Sequence, residues 1–153
     1  MTVKNTNIGA LISVLNAAGP VALTAGGAGD NTAVTGIILD RAAYGWPASA
    51  ELCLAFTATL AAAATLSAAV TVQHGDDAGL SDATTFDSIA NAVIATGPGG
   101  GGTVPGQITR AINLKGAKRY VRVNFTPDLS AANTDTARAG AVLAFGGANR
   151  LPQ

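Results

Sequence analysis

From Leu52 to Val72 the chain runs for twenty-one residues without a charge, long enough to cross a bilayer as a helix. Eight of those residues are Ala and five are Thr or Ser, so the stretch is only weakly apolar. Its period decides what it can fold into. Leu52, Leu54, Phe56, Ala58 and Leu60 share one parity, against Glu51, Cys53, Thr57 and Thr59 on the other. Beyond the "AAAA" at 61–64, Leu66, Ala68, Val70 and Val72 alternate with Thr65, Ser67, Thr71 and Gln73. A period of two places successive side chains on opposite faces of a half-buried strand, so the stretch predicts two strands joined as a β-hairpin and no membrane span.

The same alternation recurs. "NTAVTGIILDR" predicts a strand over about 32–40, closed by the turn-forming "AAYGWPAS". In "RYVRVNF", Arg119, Val121, Val123 and Phe125 oppose Tyr120, Arg122 and Asn124. In "TDTARAGAVLAFGG", Ala137, Ala139, Ala141, Leu143 and Phe145 oppose Thr136, Arg138 and Val142. "ATTFDSIANAVIATG" carries both helical and strand spacing, and strand is the preferred reading. Short strands with Gly, Pro, Asn and Asp at their joints predict an all-β protein, an antiparallel β-sandwich or barrel of jelly-roll type. Two segments lie outside the pattern: residues 1–30, read as an extended N-terminal arm with little core of its own, and the Gly-rich stretch 97–106, read as a flexible loop within a single β-rich domain over 31–153.

Composition narrows the functional classes. Nine basic residues balance nine acidic ones, and charged residues make up only 12% of the chain. Such a chain has no net field to gather nucleic acid or an anionic membrane, and low charge near neutrality favours contact between molecules. The expectation is an assembling protein. A lone cysteine, Cys53, excludes a disulfide framework and a multi-cysteine metal site.

Little else points to chemistry. His74 is the only histidine, and no nucleophile elbow accompanies it. Asp76, Asp77 and Asp82 nearby lack the ligand spacing and terminal Glu of an EF-hand. "GPGGGG" is not followed by Lys-Ser or Lys-Thr, so it is not a phosphate loop. No catalytic residue, metal or cofactor is expected.

Five of the nine cations (Arg110, Lys115, Lys118, Arg119 and Arg122) fall within thirteen residues. Only Tyr120 is interleaved with them, too few aromatics for a single-strand platform, so no nucleic-acid partner is expected. Asp76 and Asp77 mirror the cluster in sign. The expected role of Lys115, Lys118, Arg119, Arg122, Asp76 and Asp77 is an interface, with the acidic loop of one copy against the basic edge of the next. Tyr44 and Trp46 are the aromatic candidates for the same surface or for a sugar.

The succession "VTGIILDR", the uncharged double strand, a Gly-rich loop, "LKGAKRYVRVNF" and a closing "AGAVLAFGGANRLP" resembles small structural proteins of tailed bacteriophages that act as head decoration or cement proteins. "KRYVRV" and the terminal GG-x-x-R-L-P carry most of the likeness, which covers roughly 32–152. It implies a β-rich, non-enzymatic protein on the outer surface of the phage head, made in the host cytoplasm. Its implied partners are the major capsid protein and itself, as a homotrimer by preference or a dimer. Sheet edges would be free to accept a neighbour's arm by strand addition. A tail or fibre component and a carbohydrate-binding sandwich are the alternatives.

Overall fold

The computed structural model describes residues 8–130 and 134–148. Eight strands form two four-stranded antiparallel sheets: β1 (Ser13–Thr24), β2 (Leu39–Asp40), β3 (Pro47–Leu60), β4 (Thr65–Gly75), β5 (Thr84–Thr96), β6 (Gly102–Asn113), β7 (Tyr120–Leu129) and β8 (Thr136–Ala148). One sheet has the order β1-β8-β3-β6 and the other β2-β7-β4-β5. The pairs β1·β8, β2·β7, β3·β6 and β4·β5 nest inside one another. That is one long antiparallel hairpin rolled across two sheets, the jelly roll. The sheets stay open at their edges, so the molecule is a sandwich and not a barrel. No helix among the described residues is long and apolar enough to cross a membrane.

The parity read from sequence is the parity of burial. Leu52, Leu54, Phe56, Ala58 and Leu60 from β3, Leu66, Ala68, Val70 and Val72 from β4, Val121, Val123 and Phe125 from β7, and alternate residues of β8 fill one continuous core. Its filling from both sheets is what closes the sandwich. The ambiguous segment after residue 83 is strand β5 throughout.

Four expectations change. Strands β3 and β4 are not a hairpin: they belong to opposite sheets, and the "AAAA" connection carries the chain over the end of the core. The strand expected over 32–40 reduces to Leu39–Asp40 plus a bridge between Val34 and Phe125. Gly36 explains the break. A Cβ there would lie 2.0 Å from the Val123 carbonyl oxygen and 2.5 Å from that of Ala17, so this segment is wedged where the two sheets meet. The N-terminal arm, where described, is integral. Strand β1 pairs along β8 and buries Ala17, Ala18 and Leu23 in the core; residues 1–7 lie outside the described residues. The Gly-rich loop contracts to 97–101, because Gly102 to Gly106 pair with Leu60 to Phe56 in β6.

The edges are also less open than expected. Pro20 interrupts β1 and Pro105 sits in β6, the two edge strands of the first sheet. Proline offers no N–H to an added strand, and bulges on β1 break its register.

Candidate interface at the charged end

Antiparallel nesting gathers three connections at one end of the sandwich: β2–β3, β4–β5 and β6–β7. A 3-10 turn, Arg41–Tyr44, forms the first, capped by Asp40, whose carboxylate accepts from Ala42 N, and ended by Gly45 at φ +73°. Another, Leu114–Gly116, opens the third, capped by the Asn113 side chain. Every interface candidate from the sequence lies at this end, Arg122 the deepest as the third residue of β7, so a scattered set becomes one surface.

The charges there are already engaged within the chain. Lys118 Nζ lies 3.3 Å from Asp76 Oδ2 and 3.2 Å from Asp82 Oδ2. Arg119 grips Asp40 with two bonds of 3.0 and 2.8 Å and lies 5.0 Å over the Tyr120 ring. Arg122 donates twice to Gln73 Oε1, at 3.2 and 2.7 Å, and Asn124 donates to the same oxygen at 2.8 Å. The pairing expected between copies, acidic loop to Lys118, is therefore made inside one copy. The physical reason is the nesting: the β4–β5 loop and the entry to β7 flank the same strand, since Gly75 faces Tyr120 across the β4·β7 ladder.

The acidic loop is a built turn. Asp82 accepts from the N–H groups of Asp76 and Asp77, and Asp77 from those of Gly79 and Ser81. Those backbone donors, with Lys118 as a lesser cause, hold the Asp82 carboxyl down at about 2. Asp77 is lowered by its bonds from Ser81 and Gly79, and Asp40 by Arg119. Lys118 is raised by Asp82 and then Asp76. His74 Nδ1 accepts from Lys118 N at 3.1 Å while its ring leans on Phe86, 4.8 Å between centroids. Burial lowers its pKa, and the imidazole that accepts this bond is neutral.

One residue central to this end was missed by sequence. Arg41 is 4% exposed. Its guanidinium donates to the carbonyls of Ala117, Lys118, Pro47 and Leu114, tying the start of β3 to the β6–β7 connection. A lone Arg beside Asp40 reads as an ion pair, and nothing in the sequence announces four carbonyls 6 to 77 positions away. Lys115 remains exposed, beside a hollow shared with Arg41, Trp46, Ala48 and Ala117. Trp46 is 44% exposed with Arg41 at 5.6 Å from its ring, whereas Tyr44 packs on Phe145 at 5.7 Å. The two aromatics therefore serve different surroundings and form no shared platform.

No protein-family model and no curated protein matches the chain. Solved structures do match in fold. A chain of the T13 infectious bursal disease virus particle aligns over 92% of this chain and 32% of its own length, 13% identical, with a TM-score of 0.50. The PBSX exported protein XepA aligns over 99% of this chain and 42% of its own, 14% identical, with a TM-score of 0.48. A carbohydrate-binding module from a Cellvibrio mixtus lichenase aligns over 90% and 98%, 15% identical, with a TM-score of 0.36. This chain thus spans less than half of the first two. At these identities the likeness is one of fold alone.

Proposed function

We propose that this chain is a non-enzymatic structural protein of a virus particle, a decoration or cement protein that binds the outside of an expanded tailed-phage head and bridges major capsid subunits. A jelly roll serves many functions, so the fold does not select one. The selecting observation is the run of residues with the phage-head likeness, above all "KRYVRV", which the sandwich places at the charged end as a cross-braced strand start. Its terminal phrase, Arg150 to Pro152, lies outside the described residues. In this reading the charged end is the capsid-facing contact. The Arg41 guanidinium, bonded to the carbonyls of Pro47, Leu114 and Ala117, fixes the backbone that carries Trp46 and Lys115, and a preset surface loses little freedom on docking.

The test is to mix purified protein with expanded heads lacking it and to image them. Saturable, symmetric density on the outer surface, with greater heat resistance of the heads, is expected. Heads that stay bare at saturating protein would overturn the reading. The exposed Trp46 beside its hollow favours a second reading, a carbohydrate-binding module. A glycan screen that quenches Trp46 fluorescence would select it, and silence would remove it.

A further inference from the structure

The outward face of the β1-β8-β3-β6 sheet carries little charge along its middle strands. Along its middle strands the outward positions are Glu51, Cys53, Ala55 and Thr57 on β3, facing Ala144, Val142, Gly140 and Arg138 on β8, with Cys53, Gly140 and Ala144 half-buried. Val14 and Val142 stand open at 62% and 39% exposure. Among the described residues Glu51 and Arg138 bring charge to the middle strands of this face, neither in an ion pair, and Lys115 lines the hollow beside Glu51 at its end. The opposite sheet presents Arg122, Asn124 and Gln73 already bonded to one another.

The placement of those two charges matters. Glu51 lies opposite Ala144, and Arg138 lies opposite Thr57, six residues along β3 from Glu51. They therefore stand about 20 Å apart at opposite ends of neighbouring strands. Midway between them lie Cys53, Ala55, Gly140 and Val142, small and uncharged. A two-fold axis lying in the plane of the face, passing through that midpoint and running nearly across the strands, sets Glu51 of each copy over Arg138 of the other. The same rotation stacks small side chains on small side chains, which lets two sheets approach to about 10 Å. Four strands and five outward rows cover about 600 Å² per copy, which puts a face-to-face pair at the lower end of stable interfaces. Edge pairing along β1 or β6 is the competing route for this sheet, and Pro20 and Pro105 stand against it.

We propose that this face is the docking surface for a second copy of the chain, self-complementary about a two-fold axis through the Cys53–Ala55 centre. It gives the self-association part of the head-protein reading a surface. The axis favours a dimer over the trimer that the family likeness implies. Its test, in free solution, does not depend on whether heads are bound.

The experiment is sedimentation equilibrium of the full chain up to about millimolar concentration, with Glu51→Arg, Arg138→Glu and the double exchange. A wild-type dimer is expected. Each single reversal should weaken it by about tenfold or more, by setting like charges against each other at both contacts, and the double exchange should restore it. Cys53 supplies an independent reading: a bis-maleimide spanning about 10–15 Å should join two wild-type copies. Ala55→Arg, on an exposed strand position, should abolish both dimer and cross-link with the circular-dichroism melt unchanged. A monomer at the highest concentration, a trimer, a dimer that does not cross-link, or single reversals without effect would each overturn the proposal.

Discussion

The charged end and the bare face of the β1-β8-β3-β6 sheet are built on opposite principles. At the charged end almost every ionisable group has a partner in its own chain: Lys118 with Asp76 and Asp82, Arg119 with Asp40, Arg41 with four carbonyls. On the bare face, two charges stand at opposite corners without partners, on either side of small side chains that line a shallow hollow beside Pro20. One region uses polar chemistry to hold its own backbone; the other does nothing for its own fold on its solvent side. Substitution should therefore damage stability at the first and association at the second.

The largest effect is expected at Arg41. Replacing it with Ala leaves four carbonyls at the base of the β2–β3 and β6–β7 connections without their donor, and removes packing beneath Trp46. Losses of this kind run to about 3–5 kcal/mol. Urea unfolding should show it as a lower midpoint at unchanged slope. A loss below about 1 kcal/mol would mean that the end is held by its loops alone, and the contrast between the two regions would fail.

Acid probes the same end without mutation. The Asp40, Asp77, Asp82 and Asp87 carboxyls are all held below their ordinary value in the folded protein, Asp82 from 3.8 to about 2. A carboxyl with a depressed folded pKa favours the folded state most fully above its unfolded value and loses that contribution as pH falls towards the folded one. Unfolding midpoints should therefore drop between about pH 4 and pH 2. Asp82→Asn should flatten that limb, since both its backbone donors and Lys118 lose their anion. Thr57→Lys on the bare face should leave the limb as it is. Identical acid limbs in all three proteins would remove the carboxylates from the account.

A smaller limb is expected nearer neutrality. His74 is held neutral by burial and by its bond from the Lys118 N–H, and its folded pKa lies below 6.5. Because the unfolded chain then binds the proton more readily, stability should begin to fall as pH drops below about 6.5. The imidazole resonances should titrate below that value, and His74→Gln should remove the shallow limb while sparing the deeper one. An ordinary titration would show that the ring is not held as described.

These effects follow from partners that the sequence did not disclose. Period two told which residues face inward in β3, β4, β7 and β8, because parity is written in consecutive positions. It did not tell which strand lies beside which. The "AAAA" at 61–64 is as short as a hairpin turn, yet it crosses from one sheet to the other. The strand expected over 32–40 failed at Gly36, whose neighbours Ala17 and Val123 are distant in sequence. The basic run at 110–122 was legible as a cluster, but its meaning depended on Asp40, Gln73 and Asp82, brought in by nesting. Likewise β1, whose Ala and Gly content resembles a loose arm, becomes core only because β8 supplies a matching row of alanines.

The smallest effect on stability belongs to the bare face, and it sharpens the comparison most. Val142 is 39% exposed at the centre of that face, opposite Cys53 and beside Asn16. Val142→Thr keeps the branched shape that suits a strand and adds a hydroxyl that water can satisfy in the monomer. The change in unfolding free energy should stay within about 0.5 kcal/mol. In the paired state the same hydroxyl would be shut against Ala55 and Gly140 of the second copy, neither of which carries a side-chain partner for it. A polar group buried without a bond costs about 1–3 kcal/mol, once for each copy, so the dimer should weaken by at least about tenfold while the melt stays put. Equal stability with equal association would mean that this face meets only water. Loss of stability without loss of association would mean that it packs against its own chain, and the two regions would no longer differ in kind.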